Sequence, residues 1–168
     1  TGLTTSPHLK DFRERIRVNG VMADQDFVIH FVEKHEQKIL EQKASFFEIA
    51  NAMAFEYFAQ QQVDVAIIET GLGGRLDSTN IIIPELSIIT NIGLDHTQFL
   101  GNTLDKIASE KGGIIKEGIP VLIGETTQET KPVFTEVAQQ KNSEIIFAED
   151  NFYQDVPSDL QGTYQVKN

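Results

Sequence analysis

Residues 63–69 read Val-Asp-Val-Ala-Ile-Ile-Glu and run directly into Thr-Gly-Leu-Gly-Gly-Arg-Leu-Asp at 70–77. The first seven are apolar almost without a break. A half-wet strand alternates apolar and polar side chains, whereas an unbroken run suits a strand covered on both faces, as in a parallel sheet. Glu69 closes the run, and a carboxylate there is costly unless it meets solvent, hydrogen-bond donors or a cation. Gly71, Gly73 and Gly74 permit tight backbone paths, so the next stretch is either an ordinary glycine turn or a place where backbone N–H groups approach phosphate. It is not a dinucleotide fingerprint, because the G-x-G-x-x-G spacing and its helical continuation are missing.

The same pattern recurs on both sides of this segment. Residues 86–90, Leu-Ser-Ile-Ile-Thr, repeat the apolar run and lead into Asn91. Residues 120–123 and 144–147 form two further strand candidates. Helical spacing of Phe27, Phe31, Val32, His35 and Ile39 predicts a helix over 24–42 with Asp24 at its N-cap. Ser45 and Glu48 have the spacing of a capping box, and Ile49, Met53, Ala54 and Tyr57 carry that helix to about Gln62. Further helices are predicted over 102–116 and 131–140. Strands alternating with helices predict an α/β fold, a mostly parallel sheet flanked by helices with ligands outside the carboxyl ends of its strands. The runs at 63–69, 86–90, 120–123 and 144–147 are expected in one sheet. The first 20 residues and the tail from Asp150 read as less compact, and neither contains a complete further domain.

The chain has 168 residues, 40% of them hydrophobic, enough to bury a core and most simply one domain. Its 14 basic and 25 acidic side chains give a formal charge of −11, a field that repels nucleic-acid backbones while leaving a local nucleotide pocket open. It has no Cys, which excludes disulfides and thiolate metal sites and fits a cytoplasmic protein. No apolar run reaches the roughly 20 residues needed to span a bilayer, and the start lacks signal-peptide features.

Chemistry-bearing residues gather at the expected sheet edge. His96, in Asn-Ile-Gly-Leu-Asp-His at 91–96, follows the second apolar run as Glu69 follows the first. Together they make joint metal ligation credible, with one imidazole among oxygens suiting Mg²⁺ or Mn²⁺ better than structural zinc. In the helix after Gly101, Leu104, Ile107, Ala108, Lys111 and Ile115 share one side, turning Lys111 toward the protein. Such a lysine either snorkels, pairs with phosphate, or, when neutral, takes up carbon dioxide as a carbamate that resembles a carboxylate ligand. Thr4-Thr-Ser-Pro-His8 is a hydroxyl-rich loop that fits over the same site or forms a simple capped turn. Arg13, Arg15 and Arg17 alternate, as in a small anion patch or an exposed strand face. His30 and His35 fall in the first helix and take no catalytic role.

In their order and spacing, TSPHLKDFRERIRVNG, IIETGLGGRLDSTN, SIITNIGLDHTQFLG, IASEKGGIIK and the terminal GTYQVKN resemble the bifunctional dihydrofolate synthase and folylpolyglutamate synthase family, within the Mur-ligase-like group. The resemblance implies an ATP-dependent amide ligase. Such an enzyme phosphorylates a pterin-linked carboxylate, of dihydropteroate or a folate, and lets the amino group of L-glutamate displace the phosphate. It also implies that Ser6, Glu69 and His96 organise Mg²⁺, with Mn²⁺ an in vitro substitute, and that Lys111 is the carbamylated lysine. Gln165 and Asn168 match a Q-x-x-N pattern of the nucleotide pocket, which Asp77 and Asn80 are expected to help shape. Phe12 and Arg15 are expected near the folate entrance.

The pattern departs from the family in one respect: no G-x-x-x-x-G-K-[ST] segment occurs. Residues 1–168 are therefore expected to be part of a P-loop NTPase-like central domain, truncated before the phosphate-binding loop and lacking the carboxyl-terminal domain that would be its native partner, and inactive alone. A Mur ligase acting on a nucleotide-linked cell-wall precursor, and a non-catalytic phosphate-binding or assembly domain, are the competing readings.

Overall fold

The computed structural model describes residues 1–150. Strand β1 (Gly2–Thr4) precedes a 3-10 turn at Phe12–Arg15, β2 (Ile16–Val18) and β3 (Val21–Met22). Helices α1 (Gln25–Gln42) and α2 (Phe46–Gln60) lead to β4 (Ala66–Ile68). A 3-10 turn at Ser78–Ile81 is followed by β5 (Ser87–Ile89), α3 (Thr97–Leu100) and α4 (Leu104–Gly112). Strand β6 (Val121–Ile123), helix α5 (Thr130–Gln140) and β7 (Ile145–Phe147) follow. This is the alternation expected of an α/β fold, and each predicted strand run contains an observed strand.

The strands form two ladders rather than one sheet, with orders β3-β2-β1-β4 and β5-β6-β7. In the first, β1 runs antiparallel to β2 and parallel to β4, while β2 and β3 are antiparallel. The second is wholly parallel. The expectation of a single sheet is corrected: among the described residues no ladder joins β4 to β5, and each keeps one unpaired edge. Two cores result. Ile16, Ala23, Phe31, Met53, Ala54, Tyr57 and Phe58 close the first against α1 and α2. Ile89, Ala108, Ile115, Val121, Ile123, Phe134 and Ala138 close the second against α4 and α5.

The apolar runs also suggested strands covered on both faces. Only one face is covered among the described residues: Val65 and Ile67 are 57% and 55% exposed and Ile88 is 53% exposed. The bare side is apolar in both ladders, which is why the sequence runs show no alternation.

Local signals account for much of the rest. Ser45 and Glu48 form the reciprocal capping box, with Glu48 N–H donating to Ser45 Oγ at 3.3 Å and Ser45 N–H to Glu48 Oε2 at 2.7 Å. Asp24 occupies the N-cap position of α1, but its side chain caps no amide. The opening 20 residues, read as less compact, hold two strands, β1 and β2. The three-residue β1 pairs with a strand more than 60 residues away, a register invisible to local periodicity. Arg13 and Arg15 lie in a 3-10 turn and only Arg17 on a strand, so the alternating arginines are not one strand face. No described helix is long and apolar enough to cross a membrane.

Candidate functional site at two strand ends

Parallel pairing of β1 and β4 sets Thr4 opposite Ile68, so the two chains leave the ladder side by side. Ser6 follows one strand end and Glu69 the other. Ser6 N–H donates to Glu69 Oε2 at 2.5 Å, and Glu69 N–H donates to Thr4 Oγ1 at 3.1 Å. A cleft lined by Thr4, Thr5, Ser6, Arg15, Asn51 and Glu69 opens here. Thus Ser6, Glu69 and Arg15, singled out in the sequence, meet in space. Thr4 was missed as an individual contributor: its buried hydroxyl fixes the Glu69 backbone.

The loop after Ser6 is shaped by Glu14, whose carboxylate accepts from the N–H groups of Leu9, Lys10 and Asp11 at 2.9, 3.1 and 2.9 Å. These bonds, Leu9 first, hold the Glu14 carboxyl below its ordinary range. The Arg13 side chain, then its backbone N–H, lower Asp11 to about 2. Arg15 Nε donates to His8 Nδ1 at 2.8 Å, and its guanidinium lies 5.3 Å from the Phe46 ring centre. Phe12 packs edge-on against Phe46 at 5.6 Å. Phe12 and Arg15 therefore share one aromatic wall, and Arg15 reaches the Glu69 cleft.

The glycine-rich segment beyond Glu69 folds onto itself. Asp77 Oδ2 accepts from the N–H groups of Gly71 and Leu72 at 3.1 and 2.8 Å, while Oδ1 accepts from Thr79 N–H and Oγ1 at 2.9 and 2.5 Å. Asn80 Nδ2 donates to the carbonyls of Arg75 and Gly113 at 3.1 and 3.0 Å. Both side chains sequence reasoning placed beside the nucleotide are thus engaged in holding the loop. Gln165 and Asn168, the other two nucleotide-side candidates, lie outside the described residues.

Arg75 was not singled out from sequence, yet it joins this loop to α4. Its N–H donates to Glu110 O at 2.8 Å, and Nη2 pairs with Glu110 Oε1 at 2.9 Å. The backbones come so close that a Cβ on Gly74 would lie 2.8 Å from the Glu110 and Lys111 carbonyl oxygens, and one on Gly113 2.4 Å from Arg75 Cα. On its other side the loop is tied to α2, where buried Asn51 donates to Ser78 Oγ at 2.7 Å. Motif spacing shows none of these partners, because each contact spans at least 27 residues of sequence.

Lys111 is half-buried on α4, beside Ile107 and Ala108, as its helical phase indicated. Its ammonium group makes no hydrogen bond or ion pair with another described residue. His96 is exposed, with a left-handed backbone at φ 48° before α3, and its Nε2 lies 3.6 Å from Asp95 Oδ2. The structure brings neither His96 nor Lys111 into hydrogen-bonding contact with Glu69 or Ser6. No three His, Cys, Asp or Glu side chains are gathered for a metal among the described residues. One carboxylate beside one hydroxyl still suits Mg²⁺, which is commonly held by one or two carboxylates with substrate phosphates and water completing its shell.

Comparison with known proteins places this geometry in context. The Bacillus subtilis dihydrofolate synthase/folylpolyglutamate synthase is 38% identical over 99% of this chain and 46% of its own length. A crystal structure of Thermotoga maritima folylpolyglutamate synthase superposes with a TM-score of 0.85 at 35% identity, covering 99% of this chain and 44% of that one. Escherichia coli FolC in complex with DHPP and ADP gives 0.81 at 36% identity, covering 87% and 35%. The chain thus spans less than half the length of these relatives. The description Mur ligase middle domain matches residues 18–168, and to that family this chain belongs.

Proposed function

We propose that the protein containing this chain is an ATP-dependent amide ligase that joins L-glutamate to the carboxylate of dihydropteroate or of a tetrahydrofolate. The observation that carries this reading is the meeting of Ser6 and Glu69 at the ends of two parallel strands, the place where α/β sheets bind ligands. Likeness over nearly the whole chain to dihydrofolate and folylpolyglutamate synthases supplies the substrate class.

The reaction has two steps. The folate carboxylate takes the γ-phosphoryl group of ATP, releasing ADP and leaving an acyl phosphate. The glutamate amine then attacks the acyl carbon, the carbon–oxygen bond to phosphate breaks, and the amine gives up a proton as the amide forms. Mg²⁺, when bound, would neutralise charge on the phosphoryl oxygens. Glu69 and Ser6, with His96 from the segment between β5 and α3, are the groups proposed to hold it. The Ser6 N–H fixes one Glu69 oxygen and leaves the other available. Lys111 is proposed to take up carbon dioxide: its neutral Nζ forms the nitrogen–carbon bond and loses a proton, giving a carbamate that orients the metal shell. Arg15 and Phe12 are proposed to line the folate entrance, and Gln165 and Asn168 to face the nucleotide.

We assign residues 1–168 to part of a central ATPase-like domain. The unpaired edges of β4 and β5 and their bare apolar face support completion of this domain by chain outside these residues, including a phosphate-binding loop. A carboxyl-terminal domain then closes the site, and the 168 residues alone do not turn over. A cytoplasmic location, where ATP and glutamate are abundant, belongs to the same reading and fits the absence of cysteine.

The test is mass analysis of products from the full-length protein given ATP, Mg²⁺, L-glutamate and dihydropteroate or tetrahydrofolate. A product heavier by one glutamate residue, with ADP and phosphate released, is expected. Ligation only to a nucleotide-linked peptide precursor would reassign the substrate, and no ATP-dependent ligation would remove the enzyme reading.

A further inference from the structure

Glu69 and Lys111 belong to different cores, one at the end of β4 and the other near the end of α4. Among the described residues no ladder connects those cores, so other contacts set the distance between the two residues. The segment running from Glu69 to the 3-10 turn does so. Arg75 grips Glu110 through its backbone N–H on the carbonyl and through Nε and Nη2 on both carboxylate oxygens, at 2.8 to 3.2 Å. Glu110 immediately precedes Lys111. Asn80 binds the Gly113 carbonyl two residues beyond Lys111, so the backbone carrying Lys111 is held on both sides by one loop. The close approach at Gly74 and Gly113 leaves that backbone no room to slide.

We propose that Arg75 is a positioning residue. Through its fork on Glu110 it fixes the α4 backbone, and hence the Lys111 amine, relative to the strand end that carries Glu69. This rests on the functional reading of Lys111 and Glu69 given above. The planar guanidinium suits the task because two parallel N–H···O bonds fix direction as well as distance, which a lysine ammonium does not.

The test uses the full-length ligase with Arg75→Gln, Arg75→Lys, Glu110→Gln, the exchanged pair Arg75→Glu with Glu110→Arg, and Lys111→Ala in parallel. Assays run well below each variant's melting temperature. The single Arg75 and Glu110 variants are expected to lower kcat roughly tenfold to a hundredfold, the scale of an ångström-sized misplacement, while KM for folate and ATP stays near the parent value. Arg75→Lys recovers little, and the exchanged pair recovers more than either of its component substitutions. A second readout is the ¹³C carbamate signal of Lys111 in protein equilibrated with ¹³C-bicarbonate, which shifts in Arg75→Gln with no change in far-ultraviolet circular dichroism. If Lys111→Ala lowers turnover while Arg75→Gln retains parental kcat and an unshifted Lys111 signal, the positioning role is overturned and the functional reading stands. If Lys111→Ala turns over normally, the functional reading of Lys111 fails and the positioning role falls with it.

Discussion

Substitution of Asp77 by Asn separates two roles for one side chain, contact with a nucleotide and support of a loop. The carboxylate accepts four hydrogen bonds, two on each oxygen, all from residues 71–79. An asparagine keeps one acceptor oxygen and turns an NH₂ group toward the other pair of donors. Toward Gly71 and Leu72 that NH₂ loses two bonds and sets donor against donor; toward Thr79 it can donate to the hydroxyl oxygen, so that only the N–H of buried Thr79 loses its acceptor. Hydrogen bonds to a charged group contribute about 1.5–3 kcal/mol each when both partners are withdrawn from water. Gly71 and Leu72 are exposed, so water takes over part of the loss and the lower end applies, about 2–3 kcal/mol in all. For a chain of this size that corresponds to a melting temperature lower by roughly 4–12 °C. Differential scanning calorimetry of the 168-residue chain and its Asp77→Asn variant, with KM for ATP measured at low temperature on the same pair in the full-length ligase, is the assay. A melting temperature within about 1 °C of the parent, accompanied by a raised KM for ATP, would refute the loop-support argument and return Asp77 to the nucleotide pocket.

Three further outcomes are expected. Phe134→Ala, which removes a fully buried ring from the second core, should cost about 3–5 kcal/mol in urea denaturation; a loss under about 1 kcal/mol would show that this core is loosely packed. Glu56, whose carboxyl is lowered by hydrogen bonds from Lys34 and then His35, stabilises fully above its ordinary pKa of 4.5 and loses that contribution as pH falls through its lower folded value. Urea midpoints of Glu56→Gln should therefore converge on the parent's only below pH 4.5, as the parent carboxylate takes up its proton, and a constant gap down to the acid transition contradicts the assignment. Glu69→Gln in the full-length ligase should reduce turnover roughly tenfold to a hundredfold, and Lys111→Ala should do the same with partial recovery in millimolar short carboxylates; parental turnover in both, measured by ADP release, would remove these residues from the site.

What the sequence made legible follows the range of the forces involved. The capping box at Ser45 and Glu48, the inward phase of Lys111 and the strand runs ending at Glu69 and Thr90 are local patterns and were readable. The N-terminal ladder was not, because Gly2–Thr4 is too short to show a period and its partner Ala66–Ile68 lies far along the chain. The family resemblance put Asp77 and Asn80 beside the nucleotide, but polar residues after glycines occur in ligand loops and self-supporting loops alike. Only their bonded partners distinguish the two. Arg75 lies within the quoted GLGGRLDSTN stretch, yet nothing there gives it a role, since its significance depends on Glu110 arriving from a different element.

Each core is built from an unbroken stretch of chain, the first from residues 2–68 and the second from residues 87–147. During synthesis at about 5–20 residues per second, the amino-terminal half can therefore close before the carboxyl-terminal half has left the ribosome. The glycine-rich connector must wait, because Glu110 and Gly113, which it grips, are translated some 30 residues after it. The order of manufacture thus runs opposite to the order of importance for chemistry: the scaffold is finished first, and the spacing between Glu69 and Lys111 is set only when the last clasp is fastened.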